Sequence, residues 1–191
     1  MTRVDIKVII KIIFLFIVSY LLFAFLWIQV KDSYSYIITL LSSKITAGIK
    51  NAYMENIIKD KDIIYTYFST LFDKRRMIFT VSIPTYIYTS NVPMTIAIMI
   101  CMFFFIDRKF RAYSEAVVIL ILTHLFYSVT FISMQLTTAY MSKGIESINH
   151  LKITFYQFLW GFSDYMFIRF GPFFIGLYIY LRFKNANIKH S

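Results

Sequence analysis

Cysteine is nearly absent from this 191-residue chain. Cys101 stands alone, so no internal disulfide can form. It lies in Met99-Ile100-Cys101-Met102-Phe103, where a free cysteine serves as a small buried hydrophobe. His150 and His190 stand alone, so there is no metal-ligand spacing and no cofactor is implied. The five glycines are scattered and form no phosphate-cradling loop. Charged residues make up only 16%, against about 25% in an average soluble domain. There is no internal repeat and no low-complexity segment. No small-residue pair closes the first apolar block, as a cleaved signal peptide would require.

What the chain does have is apolar residues in long blocks. They make up 59% of it, against about 45–50% in soluble domains, and the mean hydropathy is +0.65. A soluble protein of this size could not bury so many blocks in one core. The net charge of +10 does not indicate nucleic acid. The basic residues flank the apolar blocks, where the positive-inside rule places them, rather than forming one patch interleaved with exposed aromatics. The 21 phenylalanines and 15 tyrosines suit lipid-facing surfaces and interfacial belts.

These patterns predict an all-α integral membrane protein of about four transmembrane helices. The first span runs from Ile12 to Ile28, an uncleaved anchor with Trp27 at the far interface. From Asp32 to Thr89 no uninterrupted block is long enough to cross. Tyr34, Ile37, Ile38, Leu41, Ile45 and Ile49 recur at helical spacing, as do Ile63, Ile64, Tyr67, Phe68, Leu71 and Phe72. The pattern reads as two amphipathic helices, lying on the membrane surface or packed as an external cap. Met77 to Ser90, broken by Pro84, reads as an extended linker or a short strand. Ser90 or Asn91 offers a cap for the second span, Val92 to Ile106, with Pro93 in its first turn. A third span covers Ser114 to Leu136, Thr137 to Lys152 is a polar loop, and a fourth span runs from Ile153 to Leu181. The fourth holds Gly161, Gly171 and Pro172, which predict a kink or a tilt. The expected organisation is an anchor over 1–31, an extracytoplasmic segment over 32–90, a three-span bundle over 91–183 and a cytoplasmic tail over 184–191.

Arg3, Lys7 and Lys11 at the start, Arg108, Lys109 and Arg111 in the tight loop, and Arg182, Lys184 and Lys189 in the tail fall on one side of this scheme. The positive-inside rule makes that side cytoplasmic, with both termini there. Lys44, Lys50, Lys59, Lys61, Lys74, Arg75 and Arg76 lie on the other side, in a long segment that obeys the rule weakly.

Three ionisable groups fall within spans: His124, Asp164 and Arg169. Such groups are costly in lipid and find partners within the bundle. Counting from the outer loop, His124 and Asp164 lie at similar depth, which predicts a hydrogen bond between them. Arg169, five residues past Asp164, is turned from it by about 140° on an ideal helix and answers a different partner or snorkels. Ser128 and Gln135 share a stripe with His124. The bland reading of this set is interhelical hydrogen bonding; the sharper one is a polar site for a proton or a partner. Cys101, His124 and Arg169 are the residue types of an intramembrane cysteine transpeptidase, but the apolar neighbours of Cys101 give no means of activating it.

Asn91-Val92-Pro93-Met94-Thr95-Ile96-Ala97 opening a span, followed by a basic turn and a span with a central His124, resembles the small accessory membrane proteins associated with exosortases, of the exosortase H-associated type. The aromatic last span with Gly171-Pro172 is compatible. The likeness covers about the second half of the chain. Exosortases carry Cys, Arg and His in that order, with the cysteine in a small-residue motif. This chain has the order Cys101, His124, Arg169 and lacks that motif, so the likeness is to the accessory partner. It implies a bacterial inner membrane and a non-enzymatic subunit of a protein-sorting or processing system, with an exosortase-like multi-pass transpeptidase and the lipid bilayer as partners. The competing expectation is a small transporter or proton-linked component using His124, Asp164 and Arg169. Asn91, Ser128 and Gln135 complete the candidate set.

Overall fold

In the computed structural model, residues 6–145 and 150–184 are described. Of the expected anchor, residues 1–5, with Arg3, lie outside them, as do residues 146–149 of the expected loop and residues 185–191 of the expected tail over 184–191. The chain is mostly helical (73%), yet it also holds a small sheet, which corrects the all-α expectation. The order is α1 (Ile6–Ile49), β1 (Tyr53–Asp60), β2 (Ile63–Phe72), β3 (Arg75–Pro84), α2 (Thr85–Thr89), α3 (Val92–Met102), α4 (Lys109–Ser142), α5 (His150–Phe162), a π-helical stretch (Ser163–Arg169) and α6 (Gly171–Phe183). Among the described residues, three helices are long and apolar enough to cross a membrane: α1, the pair Thr85–Met102, and α4. A fourth crossing results if α5 through α6, interrupted near Phe170, counts as one. Pro172 in the first turn of α6 accounts for the interruption anticipated there.

The chain divides into two compact units. The first comprises residues 1–30, 90–120 and 170–191. Its core joins Val92 and Met99 of α3, Ala112, Ala116 and Leu120 of α4, and Ile175, Ile179 and Phe183 of α6. Helices α3 and α6 approach closely at Gly176, where a Cβ would sit 2.7 Å from Cγ2 of Ile98. Small residues allow such approaches between apolar helices. The second unit comprises residues 31–89 and 121–169. Its sheet is antiparallel, ordered β1-β2-β3.

The expected amphipathic helix over 63–72 is a strand. Ile63-Ile64-Tyr65-Thr66-Tyr67-Phe68 is rich in β-branched and aromatic residues, and a short apolar run fits either period. The buried set is the period-two one, Ile64, Thr66 and Phe68, matched across the ladder by Ile83, Val81 and Phe79 of β3. The stretch read as linker or strand is strand β3. Asp73 and Lys74 both have positive φ (50° and 59°), so the β2–β3 connection is a two-residue type I′ turn without the usual glycine.

Helix α1 runs unbroken for 44 residues, about 66 Å at 1.5 Å per residue, rather than stopping where the apolar block ends. Its second half is inverted relative to the amphipathic expectation. Ser35, Thr39, Ser42, Ser43 and Thr46 are buried, as is Lys50 just past the helix end, while Ile37, Leu41, Ile45 and Ile49 are exposed; of the expected apolar face, Ile38 alone is fully buried. Thr137 to Ser142, read as loop, continues α4.

A buried polar layer as the candidate functional site

The buried stripe on α1 follows directly from sequence spacing. Positions 35, 39, 42, 43, 46 and 50 recur at three- and four-residue intervals and share one helix face. Serine and threonine at such spacing let another helix approach and donate hydroxyls to it. His124, Tyr127, Ser128, Ser133 and Thr137 supply a buried polar layer from α4. Contacts match Tyr34 with His124 and Lys50 with Thr137, so the two helices run parallel across the second unit.

His124 is fully buried, and its Nδ1 lies 2.6 Å from the Tyr34 hydroxyl. The Tyr34 ring meets the imidazole edge-on at 5.6 Å, and the Tyr88 ring does so at 5.9 Å. Tyr88, on the short helix α2, is also fully buried; its hydroxyl donates to the Ser35 carbonyl oxygen (3.1 Å) and lies 3.0 Å from Thr39 Oγ1. The Tyr127 ring lies 5.8 Å from that of Tyr88. The layer is thus built of aromatic rings, hydroxyls and an imidazole. At its far end Lys50 Nζ donates to Thr137 Oγ1 at 2.5 Å and sits 4.1 Å from the Tyr156 ring centroid, a buried cation held by a hydroxyl and a π face.

The expected His124–Asp164 hydrogen bond is not the pairing found. Asp164 accepts from Arg169 Nη2 (3.2 Å) and Nε (3.3 Å). The 140° estimate assumed an α-helix. In the π-helical stretch Ser163–Arg169 hydrogen bonds run from i to i+5, so residues five apart come onto one face. Arg169 remains largely exposed, whereas the Asp164 side chain is 13% exposed. Ser128 is fully buried, and its hydroxyl makes no hydrogen bond among the described residues. Gln135 is exposed and stands outside the layer. Asn91 belongs to the first unit, where its carbonyl accepts from Thr95 N and Oγ1 at the start of α3 without its side chain capping the helix. Cys101, also in the first unit, has the Ile12 carbonyl oxygen 3.8 Å from its sulfur, a neighbour that does nothing to generate a thiolate.

Sequence reasoning missed Tyr34, Thr39 and Tyr88. The signal was present: in a chain this apolar, a hydroxyl stripe on a helix marks the side turned inward, because lipid accepts the other side.

On the sheet, a bulge between Met54 and Asn56 turns Glu55 onto Ser69 of β2 and Arg76 of β3. The Ser69 hydroxyl, and then the Arg76 guanidinium, hold the Glu55 carboxyl below its usual range. This trio lines an open cleft of about 530 Å³ with Tyr53, Met54, Thr70 and Leu71. Where the hairpin turn meets α1, Lys31 pairs with Asp62 at 2.7 Å and Lys59 with Asp32 at 2.6 Å. Lys31 lowers the Asp62 carboxyl below its ordinary value.

The class defined by these features is a helical membrane protein carrying a small antiparallel sheet. No protein-family model, no curated protein and no solved structure matches the chain.

Proposed function

We propose that the chain is a non-enzymatic accessory subunit that docks a multi-pass membrane partner through the second half of α1. The observation that carries this is the length of exposed apolar surface on one helix. Large exposed hydrophobics run along α1 from Ile6 to Ile49, about 65 Å of axis. A hydrocarbon core of about 30 Å covers less than half of that, and even a tilt of 40° leaves about 49 Å along the membrane normal. The paired charges Lys31, Asp32, Lys59 and Asp62 mark where α1 leaves the hydrocarbon. The sheet beside them has open edges at β1 and β3, which hydrocarbon does not tolerate. Ile37, Leu41, Ile45 and Ile49, 43% to 55% exposed, therefore lie beyond the bilayer and need another cover. They repeat every four residues, the spacing that a partner helix reads. Gly48 within this face has open space around it, which permits close helix approach.

In this reading the sheet is extracytoplasmic, both termini are cytoplasmic, and the partner is an exosortase-like transpeptidase of a bacterial inner membrane. The resemblance through Asn91 to Ala97 and the central His124 supports that choice of partner. Extraction of the full chain from native membranes in mild detergent tests it. The wild type should co-purify with one multi-pass enzyme, and Leu41→Lys with Ile45→Lys should release it without altering the chain's own melting. A monodisperse wild-type monomer, or undiminished capture by the double variant, overturns the proposal.

The Tyr34–His124 contact at 2.6 Å favours a second reading, a small proton-linked component or transporter. The neighbouring genes separate the two: a transpeptidase gene supports the subunit, a solute-binding protein gene the transporter.

A further inference from the structure

We propose that the cleft between the first turns of α4 and the last turns of α6 binds the phosphodiester of an anionic glycerophospholipid, with Arg111 and Arg182 as the anion-binding pair. The cleft is about 400 Å³ and is lined by Ser114, Glu115, Val118, Ile119, Tyr178 and Arg182. It lies wholly within the first unit.

Glu115 organises its polar end. Its Oε1 accepts from Arg111 Nε at 3.2 Å, and its Oε2 lies 3.3 Å from Arg182 Nε and accepts from the Tyr178 hydroxyl at 3.3 Å. Arg182 Nη1 in turn donates to the Tyr178 oxygen at 2.5 Å. One carboxylate thus grips both guanidiniums by their inner nitrogens. Among the described residues, the terminal nitrogens of Arg111 and Nη2 of Arg182 donate no hydrogen bond, and both side chains are about half exposed (58% and 46%). Pre-oriented guanidinium forks are the donors that phosphate oxygens take most readily.

Charge and shape then choose the ligand. Two arginines less one glutamate leave a single positive charge, which suits a monoanionic phosphodiester better than a free dianionic phosphate. The other end of the cleft is apolar, with exposed Val118 beside Ile119, and Leu177 and Leu181 of α6 exposed nearby. An acyl chain has a use for that surface and inorganic phosphate has none. Arg111 also sits in the first turn of the membrane-length helix α4 and Arg182 in the last turn of α6, helix ends of the kind at which basic pockets meet headgroups.

Native mass spectrometry of the full-length protein, exchanged from phosphatidylcholine into micelles containing phosphatidylglycerol, reads the site. The wild type should retain phosphatidylglycerol in preference to phosphatidylcholine. Arg111→Gln or Arg182→Gln should each weaken retention about fivefold, the effect of one basic residue at a membrane surface. Lys61→Gln, which removes the same charge from a sheet turn, should leave it unchanged. Val118→Trp keeps every charge, fills the apolar end and should also weaken retention, so the test does not depend on how well the arginine variants fold. Equal loss in Lys61→Gln, full retention in Val118→Trp or in either arginine variant, or displacement of the lipid by millimolar inorganic phosphate would each overturn the proposal.

Discussion

Replacing Tyr34 with Phe deletes one oxygen from the centre of the buried layer and leaves the ring in place. The hydroxyl lies 2.6 Å from His124 Nδ1, at the short end for a hydrogen bond, and His124 is fully buried. A buried neutral hydrogen bond contributes about 1 kcal/mol net, and stranding its partner costs about 1–3 kcal/mol. Measured values between membrane helices average about 0.6 kcal/mol and reach about 1.7 kcal/mol. Tyr34→Phe should therefore destabilise by about 1–2 kcal/mol. His124→Leu should destabilise more, because it also removes the edge-on contacts with the Tyr34 and Tyr88 rings. The double variant should fall short of the sum by about 1 kcal/mol. Reversible unfolding in mixed micelles measures all four states. A parallel cycle between His124 and Asp164 should be additive, since Asp164 hydrogen-bonds Arg169 instead. If Tyr34 and His124 add to within about 0.5 kcal/mol, they do not interact and the layer is wrongly assembled.

Three further outcomes rest on other parts of the fold. The type I′ turn holds Asp73 and Lys74 at positive φ, so Asp73→Asn with Lys74→Gly should stabilise the sheet by about 1 kcal/mol, read as a higher melting midpoint; an unchanged or lower midpoint rejects the turn assignment. Gly176→Ala places a Cβ 2.7 Å from Ile98 and should cost about 1–3 kcal/mol, largely recovered by a second substitution Ile98→Ala; a lack of recovery would show that the contact is not the cause. Glu55 and Asp62 have carboxyls depressed in the folded state, so their contribution is complete above the ordinary carboxylate range and disappears as pH falls through the lowered values. Infrared amide signals of the sheet should weaken with acid, and Asp62→Asn should flatten part of that slope; an identical slope in the variant would remove Asp62 from the account.

The membrane-length blocks were legible because hydropathy over some twenty residues depends on no neighbour. The break before Pro172 was legible because proline lacks the N–H that a helix needs. The strand over 63–72 was not, since Ile63, Ile64, Tyr67 and Phe68 satisfy a helical period as well as a strand period, and only pairing with β1 and β3 decides between them. His124 and Asp164 were correctly singled out as needing partners. Depth counting could not find those partners, because a π-helical stretch resets the angular position of Arg169 and because Tyr34 lies on a helix expected to be outside the bundle. The acid–arginine arrangement around Glu115 was hidden for another reason: Arg111, Glu115, Tyr178 and Arg182 come from helices 63 residues apart in sequence at Glu115 and Tyr178.

The inverted face of α1 has an internal test, because its hydroxyls are of two kinds. Thr39 Oγ1 lies 3.0 Å from the Tyr88 hydroxyl, whereas Thr46 Oγ1 is fully buried and makes no hydrogen bond among the described residues. Valine has nearly the shape of threonine without the hydroxyl. At position 39 the exchange removes a buried hydrogen bond and leaves Tyr88 with one partner fewer, which should cost about 1–2 kcal/mol. At position 46 it removes a hydroxyl whose burial is itself unfavourable by about 1–3 kcal/mol in mutational data, so Thr46→Val should be neutral or stabilising. Two substitutions of identical chemistry, two turns apart on one face, should then move stability in opposite directions. Unfolding in mixed micelles measures both. Equal destabilisation at the two positions would mean that Thr46 is hydrogen-bonded as firmly as Thr39, and the stripe would then be a continuous polar network rather than a packing face hydrogen-bonded at some positions and bare at others.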